Sequence, residues 1–215
     1  MTTCAPRSNR GAFTLIELLV VIGIMGALLV LVVPAFTGLG RGQSMRSSVS
    51  QLRSTLALAR QWAITKNENT YVIFPDDAMT YNPPGRVNMA LRSYGVWAEK
   101  SGYISEWRYL PPGVYFNPTN LSGNNIFDDA SLTKHWVVFP ANGSPRQEMY
   151  CIAYTPNGRL KSIQDGSSRS LYLNEGLLDV NTNAGLLVAA VLRSTNYTMR
   201  FEVRPLTGQL RIREL

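Results

Sequence analysis

Residues 11–21 read Gly-Ala-Phe-Thr-Leu-Ile-Glu-Leu-Leu-Val-Val, and this stretch joins a short basic segment to a long apolar one. Arg7 and Arg10 precede it, and no charged residue occurs from Leu18 to Gly40. Glu17 is an acid placed just at the start of the apolar run. An ionised carboxylate inside a membrane-length segment is costly, so it is rare there and usually functional. The position of Glu17 therefore has to be explained first.

The apolar run is long enough to cross a bilayer. Its densest part, Leu18 to Phe36, spans about 28 Å as a helix at ~1.5 Å per residue, against ~30 Å for the hydrocarbon core. The unbalanced arginines before it favour a cytoplasmic N-terminus and translocation of the rest. One interpretation is an uncleaved signal anchor. Another is a signal peptide cut after Val33-Pro34-Ala35, although the run is long for that purpose and Glu17 is out of place in it.

The residues from Phe13 to Glu17, followed by Leu18-Leu19-Val20-Val21, resemble the processing site of type IV prepilins and type II secretion pseudopilins. The resemblance implies that a prepilin peptidase cleaves between Ala12 and Phe13 and methylates the new amine of Phe13. The family most often has Gly where this chain has Ala12, and alanine is also a small residue.

The same resemblance gives roles to two further residues. Glu17, the fifth residue of the mature chain, is expected to pair with the terminal amine of a neighbouring subunit. A carboxylate in a dry helix bundle needs such a cation beside it. Pro34 falls where the long helix of the family often bends, and proline removes a backbone donor and kinks a helix.

Composition fits one anchor helix plus one globular domain. The chain has 215 residues and a net charge of +7, which falls to +5 when residues 1–12 with their two arginines are removed. A charge of that size favours solvation over nucleic-acid binding. Cys4 lies in the expected leader, so Cys151 is left unpaired, and its apolar surroundings predict buried filler rather than a reactive thiol.

Periodicity predicts an α+β fold. Apolar residues at spacings of three and four extend the helix to about Lys66: Met45, Val49, Leu52, Leu56, Ala59 and Ala63. Strand-like runs separated by Gly, Pro and Asn follow at 70–74, 93–98, 136–139, 150–154, 170–173, 196–204 and 210–213, and residues 107–116 are predicted to be a turn leading into a strand. Residues 117–134 are expected to form an exposed insertion, and residues 184–192 fit either a strand or a short helix.

Within the pilin-like group, the layout most resembles the pseudopilin GspH and the minor pilin FimT. Four segments carry this resemblance: residues 52–64, 110–114, 156–159 and 207–211. It implies a long N-terminal helix packed on an antiparallel β-sheet. The expected organisation is a leader at 1–12, a transmembrane or filament-core half of the helix at 13–40, and a soluble domain at 41–215.

The sequence gives little support for a catalytic or metal-binding site. His135 is the one histidine, and its position beside Lys134 and Trp136 fits an ordinary surface residue better than a catalytic base or metal ligand. Asp128-Asp129 lacks a second acidic cluster at calcium-ligand spacing. No phosphate-binding loop or serine elbow follows a strand. We therefore expect no enzyme activity, no cofactor and no metal.

Nucleic-acid binding is the alternative hypothesis. Strand alternation places four arginines on one face of the last two strands: Arg200, Arg204, Arg211 and Arg213. Such a face could contact phosphates without reading sequence. Some FimT-like minor pilins bind DNA through a terminal Gly-Arg-x-Arg element, which Gly208 and Arg211 match, whereas Gln209 replaces its first arginine. A solvated outer face of the sheet explains the same arginines, and we favour it.

The sequence therefore predicts a structural minor pseudopilin in a type II secretion pseudopilus or a type IV pilus-like filament. Its expected partners are the prepilin peptidase, other pilins or pseudopilins, and inner-membrane lipid, with nucleic acid as the less favoured one. The expected location is the bacterial inner membrane, crossed once, with the C-terminal domain in the periplasm.

Overall fold

The computed structural model of the chain describes residues 14–76, 87–119, 124–128, 134–161, 168–183 and 186–215. Across these residues it has a 52-residue helix, α1 (Leu15–Lys66), a short 3-10 helix (Val87–Met89), and ten strands. The strand pairs are antiparallel, so the predicted α+β class is confirmed. The chain divides into two compact units, residues 1–41 and 42–215.

The strands form two sheets. The first has the order β3-β2-β1-β7-β6, with β4 also paired to β2, and the second has the order β10-β9-β8-β5. The bounds in the first sheet are β1 Thr70–Phe74, β2 Ser93–Ala98, β3 Gly102–Tyr103, β4 Arg108–Tyr109, β6 Lys134–Val138 and β7 Arg146–Tyr154. The bounds in the second are β5 Val114–Phe116, β8 Arg169–Asn183, β9 Leu186–Val203 and β10 Leu210–Glu214.

The helical stripe predicted from residue 45 onward faces the main core. Five of its side chains are at most 1% exposed: Met45, Leu52, Leu56, Ala59 and Ala63. They join one cluster with side chains of both sheets, including Val72, Ile152 and Phe201. Because each buried leucine contributes about 1.5–3 kcal/mol through removal of apolar surface from water, this stripe holds the second half of α1 on the sheets.

The central strand of the first sheet is buried on both faces. Val72 and Phe74 of β1 face the main core, whereas Tyr71 and Ile73 join a second cluster around Trp97. This two-sided burial explains why the sequence of β1 is apolar almost throughout instead of alternating with polar residues.

Helix α1 ends in a Schellman-type cap. Asn67 has a φ of 50°, in the left-handed region that asparagine tolerates, and the N–H of Glu68 donates to the carbonyl of Ala63 at 3.3 Å. The buried carboxylate of Glu68 then accepts hydrogen bonds from Trp62 Nε1 at 2.9 Å and Lys100 N at 2.7 Å. It also accepts bonds from the backbone and the hydroxyl of Ser101. One acid thus joins the end of the helix to the β2–β3 turn.

Two expectations are settled or changed by the described residues. The apolar run after residue 185 is a strand, the first part of β9, which pairs along its length with β8 in a long hairpin. The described parts of the expected insertion, 117–119, 124–128 and Lys134, are not fully exposed, because Ile126 is 0% exposed and belongs to the main core. Its backbone is held there by Ile126 N, which donates to the carbonyl of Ser170 at 2.9 Å.

Candidate functional site

Thr14 and Glu17 close the first turn of α1 as a capping box. The backbone N–H and the hydroxyl of Thr14 each donate to Oε2 of Glu17 at 2.9 Å. In return, the N–H of Glu17 donates to Oγ1 of Thr14 at 3.4 Å. This reciprocal pattern satisfies backbone donors that have no partner within the helix, and it places a negative charge at the positive end of the helix dipole. Glu17 therefore has a local role that the sequence interpretation missed.

An apolar surface follows this cap directly. Large hydrophobic side chains between 42% and 80% exposed occupy most of the next turns: Leu15, Ile16, Leu18, Leu19, Val20, Val21, Ile22, Ile24, Met25 and Leu28. Single exposed apolar residues are normal on soluble proteins, but a continuous apolar surface indicates an interaction with protein or lipid. The described residues do not include a helix long and apolar enough to span a bilayer.

The structure does not test three of the residues predicted to act in processing and assembly. Ala12 and Phe13 lie outside the described residues, and Pro34 lies within the bounds of α1. The cleavage, the methylation and the bend therefore remain predictions.

The four C-terminal arginines differ in their surroundings. Arg213 is the register partner of Arg200 across β9 and β10, and Arg211 is the partner of Glu202, so these residues share one face. The Nε of Arg200 donates to the hydroxyl of Ser170 at 3.1 Å, and its guanidinium lies 5.9 Å from the ring centre of Tyr172. Arg204, Arg211 and Arg213 are exposed. Arg200 is thus partly a packing residue, whereas the other three are open to solvent.

Three of the segments that carry the GspH and FimT resemblance meet at one point. The Nε of Arg60 on α1 donates to the carbonyl of Gly158 at 3.2 Å. Gly208, with a φ of +62°, lies so close that a Cβ there would be 2.1 Å from that carbonyl and 3.0 Å from Nε of Arg60. Both the backbone conformation and the space therefore require glycine at position 208. Sequence reasoning noted each segment but had no means of placing them together.

A group of polar residues surrounds Tyr71 on the other side of the first sheet. Its hydroxyl donates to Oε1 of Glu99 at 3.0 Å and accepts from Nζ of Lys161 at 2.5 Å. His135 lies edge-on to the Tyr71 ring, 5.4 Å between ring centres. Burial, together with the charge of Lys161, lowers the pKa of His135 to about 4. His135 is therefore a half-buried neutral residue, and the expectation of an ordinary surface position holds only in part.

Cys151 lies in the second core cluster. It is 3% exposed, and burial raises the pKa of its thiol well above the ordinary value. A thiol in this state is a poor nucleophile, because the thiolate is the reactive form. Within the described residues, no group of three or more His, Cys, Asp and Glu side chains is placed to hold a metal ion.

The comparisons with known proteins bear on the N-terminal segment. Residues 7–33 match the family model described as the prokaryotic N-terminal methylation motif. This range contains the expected cleavage position between Ala12 and Phe13, and it contains Glu17. The match supports a type IV pilin-like protein that is processed by prepilin peptidase and assembles with other pilins, a structural class of protein rather than an enzymatic one. Searches of curated proteins and of solved structures gave no match.

Proposed function

We propose that this chain is a structural minor subunit of a type II secretion pseudopilus or a type IV pilus-like filament, anchored in the inner membrane before assembly. The observation that carries this proposal is the set of exposed large apolar side chains from Leu15 to Leu28, which begins at a capped helix start within the methylation motif. Such a surface is stable only when lipid or neighbouring helices cover it. In this proposal lipid covers it first, and the helices of adjoining subunits replace lipid in the filament.

The geometry of Glu17 supports a role in this exchange. Both donors of Thr14 converge on Oε2, and no described residue donates to Oε1 of Glu17. One oxygen therefore closes the helix cap while the other is available to a cation. In the proposal that cation is the methylated amine of Phe13 in an adjoining subunit. The pair lowers the cost of holding the carboxylate among apolar side chains.

The mass of the mature N-terminal peptide tests the proposal. We expect a protein that begins at Phe13 and carries one methyl group on its amine. A protein that begins at Met1 would instead indicate a tethered domain without filament assembly, and one that begins at Phe36 would indicate an exported domain. Either result contradicts the proposal.

A second candidate function is DNA contact through the C-terminal arginine face. The observation that favours it is the shared face of Arg200, Arg211 and Arg213, together with the exposure of Arg204. Binding of a short DNA duplex should weaken steeply as salt rises, because phosphate contacts release counterions. Replacement of Arg204, Arg211 and Arg213 by Ala should reduce the salt slope as well as the affinity. A slope unchanged in that triple variant contradicts this function.

A further inference from the structure

A cleft of about 280 Å³ lies between α1 and the turn that joins β9 to β10. Arg53, Leu56, Ala57 and Arg60 form its helical wall, at the spacing that places residues on one face of a helix. Leu210 and its neighbour Gln209 form part of the opposite wall. The volume lies just under the range of about 300–1,000 Å³ that is usual for small-molecule sites. The cleft therefore has room for one or two side chains.

The cleft carries positive charge without a balancing acid. No Asp or Glu lines it. The described ion pairs of Lys134 with Asp76 at 3.9 Å and of Lys161 with Glu99 at 3.6 Å do not involve the two arginines of the cleft. Neither Arg53 nor Arg60 thus has a described carboxylate within 4 Å. Two guanidinium groups in a half-enclosed space attract an anion and hold it more strongly than the same groups on an open surface.

One of these arginines is already held in position. Arg60 is half-buried, and its Nε bond to the carbonyl of Gly158 fixes the direction of the guanidinium. This bond uses one of the five N–H donors of the group and leaves the terminal amino groups. Arg53 precedes Arg60 by about two helical turns on the same face of α1, and its side chain is exposed. A planar fork that is fixed before binding favours carboxylate, because two parallel hydrogen bonds form with little further loss of side-chain entropy.

Apart from Gln209, the remaining lining of the cleft is mostly apolar. Exposed Ala57 and half-buried Leu210 contribute aliphatic surface, whereas Leu56 lies beneath them and is only 1% exposed. The sugars that flank a DNA phosphate are small and carry ring oxygens, so they would cover little of such walls, and a duplex is too wide for a cleft of this volume. A carboxylate side chain flanked by apolar residues matches both the charge and the walls. The chemistry therefore favours a peptide over a nucleic acid.

We propose that this cleft binds an acidic segment of an adjoining filament subunit, with the carboxylate held by Arg53 and Arg60 and the flanking apolar side chains against Ala57 and Leu210. This inference rests on the proposed function, since a filament is what brings a second subunit beside the cleft. It adds a second contact between subunits, separate from that of Glu17.

Photo-crosslinking in the native host tests the inference with the full-length chain. A benzoylphenylalanine placed at Ala57, in the cleft, should crosslink to a subunit that carries a prepilin-type motif, at a peptide containing Asp or Glu. The same probe at Leu58, which is exposed on α1 but does not line the cleft, should not give that product. Absence of the product at Ala57, or its appearance at both positions, overturns the inference.

Charge reversal supplies a matched pair of variants. Arg53→Glu should lower the yield of the Ala57 crosslink by about tenfold, as expected from loss of one charge-assisted contact. Arg46→Glu makes the same change at an exposed residue of α1 outside the cleft and should leave the yield unchanged. An unchanged yield in Arg53→Glu overturns the inference, and so does a crosslink to DNA in place of protein.

The N-terminal peptide mass is read from the same samples. If Phe13 is methylated and the Ala57 crosslink is absent, the cleft inference fails while the proposed function stands. If the chain begins at Met1, the proposed function fails first. The two failures are therefore distinguishable.

Discussion

Oε2 of Glu17 accepts two hydrogen bonds from Thr14, each at 2.9 Å, so the acid of the N-terminal motif is also the cap of the helix that it opens. Substitutions at position 17 therefore change two properties at once, the start of α1 and the charge available to a neighbouring subunit. Matched variants of the two residues can separate these properties.

We expect Glu17→Ala to be processed and methylated normally but to be missing from filaments. Thr14→Ala keeps the carboxylate and removes the capping hydroxyl, so it should assemble, with some fraying of the first helical turn. The measurement is the N-terminal peptide mass together with the amount of chain in sheared filament fractions. Normal filament incorporation of Glu17→Ala would contradict the pairing of Glu17 with the Phe13 amine.

Gly208→Ala should destabilise the domain of residues 42–215 by roughly 2–4 kcal/mol, because the new Cβ meets a carbonyl oxygen at 2.1 Å and the φ of +62° is strained for alanine. Gly113→Ala is the control. Position 113 has a φ of +85° but nothing within 4 Å of the new Cβ, so about 1 kcal/mol of backbone strain is expected there. Thermal unfolding of the full chain in detergent, followed by near-ultraviolet circular dichroism, measures both. Equal losses would contradict the close approach of Gly208 to Gly158.

Stability should fall as the pH is lowered from 6.5 towards 4, because His135 takes up its proton more readily in the unfolded chain. Its folded pKa of about 4 lies below the ordinary value of 6.5, and burial is the main cause. The neutral imidazole thus contributes its full stability above pH 6.5 and loses it through that window. The full shift of the His135 pKa corresponds to a loss of roughly 3 kcal/mol at most in the free energy of unfolding, at about 1.4 kcal/mol per pKa unit.

His135→Gln should flatten this slope between pH 5 and 6.5. The chain has one histidine, so no other imidazole contributes there. The carboxylate of Glu99, which lies near the ring, has its pKa held below the ordinary value despite burial, through bonds from Asn69 and Tyr71, so it contributes little to the slope in this range. Unfolding at a series of pH values in the wild type and in the variant is the measurement. If the stability of His135→Gln falls with pH as steeply as that of the wild type, the pH dependence comes from other groups and not from His135.

Thiol counting offers an independent measure of processing. Cys4 precedes the cleavage position, and Cys151 is the one cysteine after it. In denaturant, the precursor should react with two equivalents of iodoacetamide and the mature chain with one. Under native conditions the mature chain should react slowly or not at all, since Cys151 is buried and burial raises the pKa of its thiol. Fast native alkylation would contradict the burial of this residue.

Periodicity was sufficient for the elements that pack by apolar contact. The stripe from Met45 to Ala63 is buried as its spacing predicts, and Thr70–Phe74 and Ser93–Ala98 are strands at the predicted bounds. The run after residue 185 stayed undecided because an apolar stretch without alternation fits a strand or a helix equally well. Pairing with β8, which no local pattern encodes, makes it a strand.

Polar contacts between distant residues could not be predicted in this way. Glu68 finds its donors at Lys100 and Ser101, and Arg60 finds Gly158, 98 residues along the chain. Such pairs depend on the tertiary fold and leave no periodic trace in the sequence.

The cap at the start of α1 is a different case. Thr14 and Glu17 carry the recognisable Thr-x-x-Glu signature, and it was missed because Glu17 was assigned to the contact between subunits alone.

The bonds of Glu68 also determine how the domain resists mechanical load. A subunit that is pulled by its helix must transmit the force into the sheets, and the helix ends where Glu68 is bonded to the β2–β3 turn. Several hydrogen bonds to one buried carboxylate break together under shear rather than one after another, as they would in an unzipping hairpin. We therefore expect the end of α1 to resist tension, and Glu68→Ala should lower the force at which the helix detaches from the sheets in a single-molecule pulling experiment.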